Sequence, residues 1–164
     1  MAITEKSVIK TEVVFPDDRQ HRFLLRKEWD KNKKKATVIM VSPSYADATL
    51  QDQTTMYVIN NLHRLDFGGV DIVNIFSSLE GKPSKDEKIG KENLECVLAS
   101  AATADAIIIA WGKAGDSSKA ALKQQEYVMK QLEPFGEKLM SLGFHPLFPR
   151  MRAQWNLKKM SPAV

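Results

Sequence analysis

Three short apolar runs leave this chain few ways to fold. They are Thr37-Val38-Ile39-Met40-Val41, Val70 to Phe76, and Ala106 to Trp111. Each is rich in β-branched residues and lacks polar alternation, the pattern of strands buried on both faces. Helix-length segments separate them. Thr55, Val58, Ile59, Leu62 and Leu65 fall on one helical face, and Asp52 is placed to cap it. Leu94, Val97, Leu98 and Ala101 mark a second face. Ala121, Leu122, Gln125, Val128, Met129 and Leu132 mark a third, with Ser117 or Ser118 as its cap. Strands alternating with helices require right-handed crossovers and a parallel sheet.

The punctuation around these runs sets further expectations. Pro43 ends the first strand, because proline cannot extend a central strand. Gly68-Gly69 ends the first unit. Pro134 breaks or kinks the third helix, and the apolar face of Phe135, Leu139 and Leu142 runs on to Gly143. Leu147-Phe148 then forms a short last strand. Upstream, Val13-Val14-Phe15 and Phe23-Leu24-Leu25 flank the turn signal Pro16-Asp17-Asp18 and suit an antiparallel pair. The expected fold is a three-layer α/β/α domain over residues 1–150. It has a central, mostly parallel sheet of about four strands with N-terminal edge strands. Residues 151–164 form a tail that docks in part through Trp155.

Composition excludes several classes. The length of 164 residues suits a single domain, and 43% hydrophobic with 27% charged residues is ordinary for a globular chain. No apolar run nears the roughly 18 residues of a membrane span. The first residues lack a signal-peptide pattern, so a cytoplasmic location is expected. A single cysteine, Cys96, excludes an internal disulfide and a cysteine-cluster metal site. His21, His63 and His145 show no metal-ligand spacing, so neither metal nor cofactor is expected. Of the net charge of +4, residues 1–35 carry 10 basic and 6 acidic side chains, and residues 136–164 carry 5 and 1. Two solvated basic ends explain this; a shared phosphate-binding face requires that the ends meet in space.

In parallel sheets the ligand crevice lies beyond the carboxyl ends of the strands. Four loops should converge there: Ser42 to Asp47, Ser77 to Glu80, Gly112 to Gly115, and His145 to Pro149. Asn74 lies within an apolar strand, where an amide needs partners or costs about 1–3 kcal/mol. It is presented to a ligand or ties strand to loop. Trp111 can stack on a planar ligand or pack in the core. The Gly112 turn is neither a dinucleotide fingerprint nor a P-loop. Asp47 can activate water and His145 can serve as acid, base or oxyanion donor. Ser42, Pro43, Ser44, Tyr45, Asn74, Trp111 and Gly112 are the candidate ligand contacts.

The loops resemble a bacterial family catalogued as domain of unknown function 1643. Its N-P-S-T-A-D-A and D-D-P-T segments match Ser42 to Ala48 and Asp52-Gln53-Thr54-Thr55. Val73-Asn74-Ile75-Phe76 matches V-N-L-F, Gly90 to Asn93 matches G-x-x-N, and Ala110-Trp111-Gly112 matches A-W-G. His145 to Pro149 matches H-P-L-Y-x-P, and Arg22 and Trp29 fit its R…W opening. The chain departs from the family at Ser42 for asparagine, Tyr45 for threonine and Gln53 for aspartate. More distantly, the motif order is similar to that of the uracil-DNA glycosylase superfamily. That likeness implies a nucleobase, nucleotide or nucleic acid as ligand, and glycosylase-like hydrolysis. Water held by the Ser42–Asp47 loop would attack, Asn74 would read the base and His145 would stabilise its departure. A serine hydroxyl is a poor general base, so Ser42 points to the alternative, a non-catalytic ligand-binding or protein-interaction module on the same fold.

Overall fold

The computed structural model describes residues 1–80, 84–112, 118–148, 151–152 and 154–160. The chain is a mixed α/β domain built on a seven-stranded sheet, larger than the four-stranded sheet expected. Its strands are β1 (Lys10–Val14), β2 (Leu24–Glu28), β3 (Lys34–Met40), β4 (Phe67–Asn74), β5 (Ala106–Ile109), β6 (Leu139–Ser141) and β7 (Lys158–Lys159). The spatial order is β1-β2-β4-β3-β5-β6-β7. The four strands β4-β3-β5-β6 run parallel, while β1, β2 and β7 add antiparallel edges. The N-terminal pair forms as its sequence predicts, with Val13 opposite Leu25. This order sends the basic N-terminal pair to one edge of the sheet and Lys158-Lys159 to the other.

Helix α1 (Gln53–Arg64) joins β3 to β4, α2 (Glu87–Thr103) joins β4 to β5, and α3 (Lys119–Gln131) precedes β6. Each starts at a capping side chain, Asp52, Asp86 and Ser118 respectively. These oxygens accept the otherwise unpaired first-turn amides. Alternate residues of each strand feed two apolar clusters, as the pleat requires. Val38, Ile72 and Ile108 join Val58 and Leu62 of α1 in one cluster. Ile39, Val73 and Ile107 join Val97 and Ala101 of α2 and Val128 of α3 in the other. Met151 and Trp155 belong to the first cluster. Asn61 of α1 fixes that segment: its Nδ2 donates to the Arg152 carbonyl at 3.1 Å, and its Oδ1 accepts the Trp155 amide at 3.1 Å.

Two boundaries differ from expectation. Gly68-Gly69 lies inside β4 rather than ending the unit. The Gly68 carbonyl accepts the amides of Trp29 and Asp30, and a Cβ there would sit 1.9 Å from the Asp30 carbonyl oxygen. The residue is glycine because two backbones meet, not because the chain turns. The last parallel strand is Leu139–Ser141, not Leu147-Phe148. Pro134 does end α3, but a 3₁₀ turn over Glu133–Lys138 then feeds β6, and Leu139 pairs opposite Ile107. The spacing of Phe135, Leu139 and Leu142 imitates a helical face, and a three-residue strand is too short to show its own period.

A network of polar groups inside the sheet centres on Asp71. Asp71 of β4 is 0% exposed. Arg26 grips it through Nε at 2.7 Å and Nη2 at 3.0 Å. Lys35 Nζ stands 3.2 Å from the same carboxylate, and the Ser100 hydroxyl donates to it at 2.8 Å. Burial pushes the Asp71 carboxyl up, but these partners outweigh it and hold it below the usual carboxylate range.

Candidate functional site

The parallel strands end on one side of the sheet, and backbone bonds lace their exit loops together. The amides of Ile75 and Phe76 donate to the Met40 and Val41 carbonyls. The Ala110 amide donates to Ile39 and the Leu142 amide to Ile109. Connections from β3 and β5 depart in opposite directions, to β4 and β6, and in open parallel sheets such a switch point is where ligands commonly bind.

The first wall is the loop from Ser42 to Asp52. Asp52 organises it. Its Oδ1 accepts the Thr55 amide at 2.7 Å and its Oδ2 the Ala46 amide at 3.1 Å, and the hydroxyls of Ser44 and Thr55 donate to it as well. Burial raises its carboxyl, yet these donors prevail and keep it below the ordinary range. Pro43 is buried and Ser42 and Ser44 are half-buried. Asp47 is tied into its own short turn, where Oδ1 accepts the amides of Thr49 and Leu50 at 2.8 and 2.7 Å. Those two bonds lower its pKa, so the carboxylate is ionised at neutral pH. Tyr45 points outward at 66% exposure and lines an open groove of about 480 Å³ with Ile9, Met56 and Ile59.

Arg22 fastens this loop from behind. Its Nη1 donates to the Ser44 carbonyl at 3.1 Å and to the Ala46 carbonyl at 2.7 Å. Only 1% of the residue is exposed. Burial pulls its pKa down to about 10, against the opposing field of Asp52. Among the described residues, its Nε and Nη2 have no hydrogen-bond partner.

The second wall belongs to β4 and α2. Asn74, at the end of β4, is 1% exposed, and both Nδ2 and Oδ1 lack a partner among the described residues. Asn93 of α2, 4% exposed, donates from Nδ2 to the Asn74 backbone carbonyl at 2.9 Å while its own Oδ1 is unpartnered. Asn93 also lines a cavity of about 130 Å³ with Ser77, Ser84, Gly90 and Gln124. The Ser77 hydroxyl lies 3.0 Å from Nδ1 of His21. Buried polar groups in native proteins are almost always paired. Asn74 and Asn93 depart from that rule among the described residues.

The third wall is the pair of turns after β5 and β6. Gly112 adopts a left-handed backbone, φ +89, and a Cβ there would lie 3.9 Å from the His145 amide nitrogen. The two motifs are thus neighbours in space. His145 is half-buried; its Nδ1 accepts the Leu147 amide at 3.1 Å, which leaves the ring proton on Nε2. Burial lowers its pKa, so the ring is neutral at pH 7. Trp111 packs against the α2–α3 cluster. The remainder of the Gly112 turn, Lys113 to Gly115, and Pro149 lie outside the described residues.

Sequence reasoning singled out Asn74 and overlooked Arg22 and Asn93 as site residues. The signals for both exist. Arg22 stands directly before the apolar run Phe23-Leu24-Leu25, and Asn93 is four residues before Val97 on the buried face of α2. Among the described residues, no three His, Cys, Asp or Glu side chains gather as a metal site, and no helix is long and apolar enough to cross a membrane.

No curated protein and no solved structure matches the chain. A family model does, over residues 22–147, from the arginine that anchors the first loop to the leucine whose amide holds His145. That match spans most of the chain and all three walls of the crevice, so the chain belongs to the family described as Protein of unknown function (DUF1643).

Proposed function

We propose that the crevice binds a nucleobase or nucleotide, free or within nucleic acid, on a three-layer fold of the uracil-DNA glycosylase type. One observation carries this reading. Asn74 holds a donor and an acceptor, both buried and both unpartnered, on one planar amide. A planar amide is complementary to the edge of a base, which offers an acceptor beside a donor. Leaving such an amide without a partner costs about 1–3 kcal/mol for each group, and a ligand edge would recover that cost.

Hydrolysis of the glycosidic bond is the chemistry such a pocket supports. Water held by the Ser42–Asp47 loop attacks the anomeric carbon, and the ionised Asp47 takes its proton. The carbon–nitrogen bond breaks, its electron pair leaves with the base, and the Nε2–H of neutral His145 stabilises the departing anion. Duplex nucleic acid would have to extrude the target base first.

A second reading rests on a specific observation. Asp47 already accepts two backbone amides in its own turn, and position 42 holds a serine, whose hydroxyl is a poor general base. Both favour a module that binds without turnover.

Incubation of the protein with single- and double-stranded oligonucleotides containing uracil and other altered bases tests hydrolysis through released base. Release that falls in Asp47→Asn supports catalysis, and a full rate in that variant sinks the assignment of Asp47. Thermal shifts with nucleobases and nucleosides test binding. No release with a clear shift supports the binding module, and silence in both overturns the proposal.

A further inference from the structure

We infer that Arg22 is an oxyanion-binding residue: its Nε/Nη2 edge receives a carboxylate or phosphate carried by the ligand. This goes beyond the nucleobase reading and does not need it. Four observations converge. The guanidinium is fixed in place, because Nη1 donates to the carbonyls of Ser44 and Ala46 and the backbone amide donates to Ser77 at 2.8 Å. The residue is 1% exposed, so water cannot serve it freely. Nε and Nη2, which share one edge of the plane, are the two atoms without a partner among the described residues. That edge is the one that matches two oxygens on a single centre.

The same molecule shows what the edge accepts. Four residues on, Arg26 presents Nε and Nη2 to the two oxygens of Asp71, at 2.7 and 3.0 Å. Among the described residues, no such carboxylate is hydrogen-bonded to the Nε/Nη2 edge of Arg22. Asp52 acts on it only through its field, and its oxygens are engaged by the Thr55 and Ala46 amides. A buried cation with three of its five N–H donors unpaired among the described residues is costly, and an anion that supplies two oxygens relieves that cost.

Two sources share this chemistry, a nucleotide phosphate and a carboxylate, and the test separates them. The full chain is titrated with inorganic phosphate, acetate, a nucleoside and its 5′-monophosphate, at ionic strength held constant with sodium chloride, while thermal unfolding is followed. A saturable rise in Tm with phosphate or acetate, absent with chloride, is the expected result. Arg22→Lys keeps the charge but loses the edge, and should weaken that binding at least about tenfold. A monophosphate that outperforms its nucleoside names phosphate as the source, and a response to acetate alone names carboxylate. No saturable response to either anion, or an unchanged response in Arg22→Lys, overturns the inference. Should Arg22→Lys not fold, a crystal structure of the native chain with the responding anion decides: oxygens within about 3 Å of Nε and Nη2 uphold the assignment, and an anion elsewhere overturns it. The nucleoside arm reports on Asn74 and the inorganic anions on Arg22, so either reading can fail alone.

Discussion

Two arginines on one strand and its lead-in present the same edge to opposite situations. Arg26 meets Asp71 with two short bonds, and Lys35 and Ser100 complete the carboxylate's shell. Arg22 spends Nη1 on two loop carbonyls and has nothing for its other two donors among the described residues. Their proton affinities diverge accordingly. The hydrogen bond to Asp71 raises the Arg26 pKa, whereas burial pulls Arg22 down to about 10. The Asp71 corner sits in mid-sheet, opposite Thr37 of β3, and closes on itself. The Arg22 corner sits where the strands stop, and there both polar atoms of the Asn74 side chain and the Oδ1 of Asn93 also lack partners among the described residues. Polar groups that serve the fold are paired within the fold. Those at the strand ends are left unpaired at a cost in stability, as the proposed ligand site requires.

The contrast breaks most visibly at Asp71. Asp71→Asn leaves Lys35 without its anion and Arg26 with only the exposed Glu12 carboxylate at 3.4 Å, and losing one partner of a buried ion pair costs about 3–5 kcal/mol. Both cations are partly exposed and can rehydrate, so a loss near about 3 kcal/mol is expected in urea unfolding. The pH dependence carries its own sign. The folded Asp71 carboxyl lies below its unfolded value, so the native state binds fewer protons than the unfolded chain. Its contribution is complete above the unfolded pKa of about 4 and is lost as pH falls through the lower folded value. Asp52 is lowered too and works in the same window. Asp71→Asn should therefore flatten the acid limb of the stability curve without abolishing it.

Arg22→Met should cost less. It gives up the two bonds from Nη1, worth about 1–2 kcal/mol together, but it removes a desolvated charge that has no ion-pair partner. A net loss below about 2 kcal/mol is expected, smaller than that of Asp71→Asn in the same denaturant series. A larger loss would mean that Arg22 is a structural post like Arg26, and the comparison would fail.

The sequence carried the parallel architecture well, because buried strands and amphipathic helices leave strong periodic signals over many residues. Thr37 to Val41 and the α1 face read plainly. Short elements did not. β6 has three residues and β7 two, below the length at which a period can be seen. Gly68 looked like a stop because glycine serves both turns and close approaches, and only the Asp30 carbonyl beside it tells them apart. At the site, Asn74 was visible as a polar residue in an apolar run. Arg22 and Asn93 were visible only as letters in motifs, since a basic residue before a strand and an amide on a helix are ordinary on a surface. What singles them out is that each is buried and incompletely bonded, and burial is a property of the packed chain.

The smallest expected effect is the sharpest, because its sign is opposite. Asn74→Leu replaces an unpartnered buried amide with an apolar side chain of similar size. No hydrogen bond of the native side chain is lost among the described residues, and the desolvation of two polar groups is relieved. The Asn93 bond goes to the Asn74 backbone carbonyl and survives the change. Stability should therefore hold or rise by up to about 1 kcal/mol, while any thermal shift with nucleobases disappears. A protein gains stability from losing a buried polar side chain only where that side chain was kept for something other than the fold. A loss of more than about 1 kcal/mol in Asn74→Leu would show instead that the amide ties strand to loop, as an ordinary structural asparagine does.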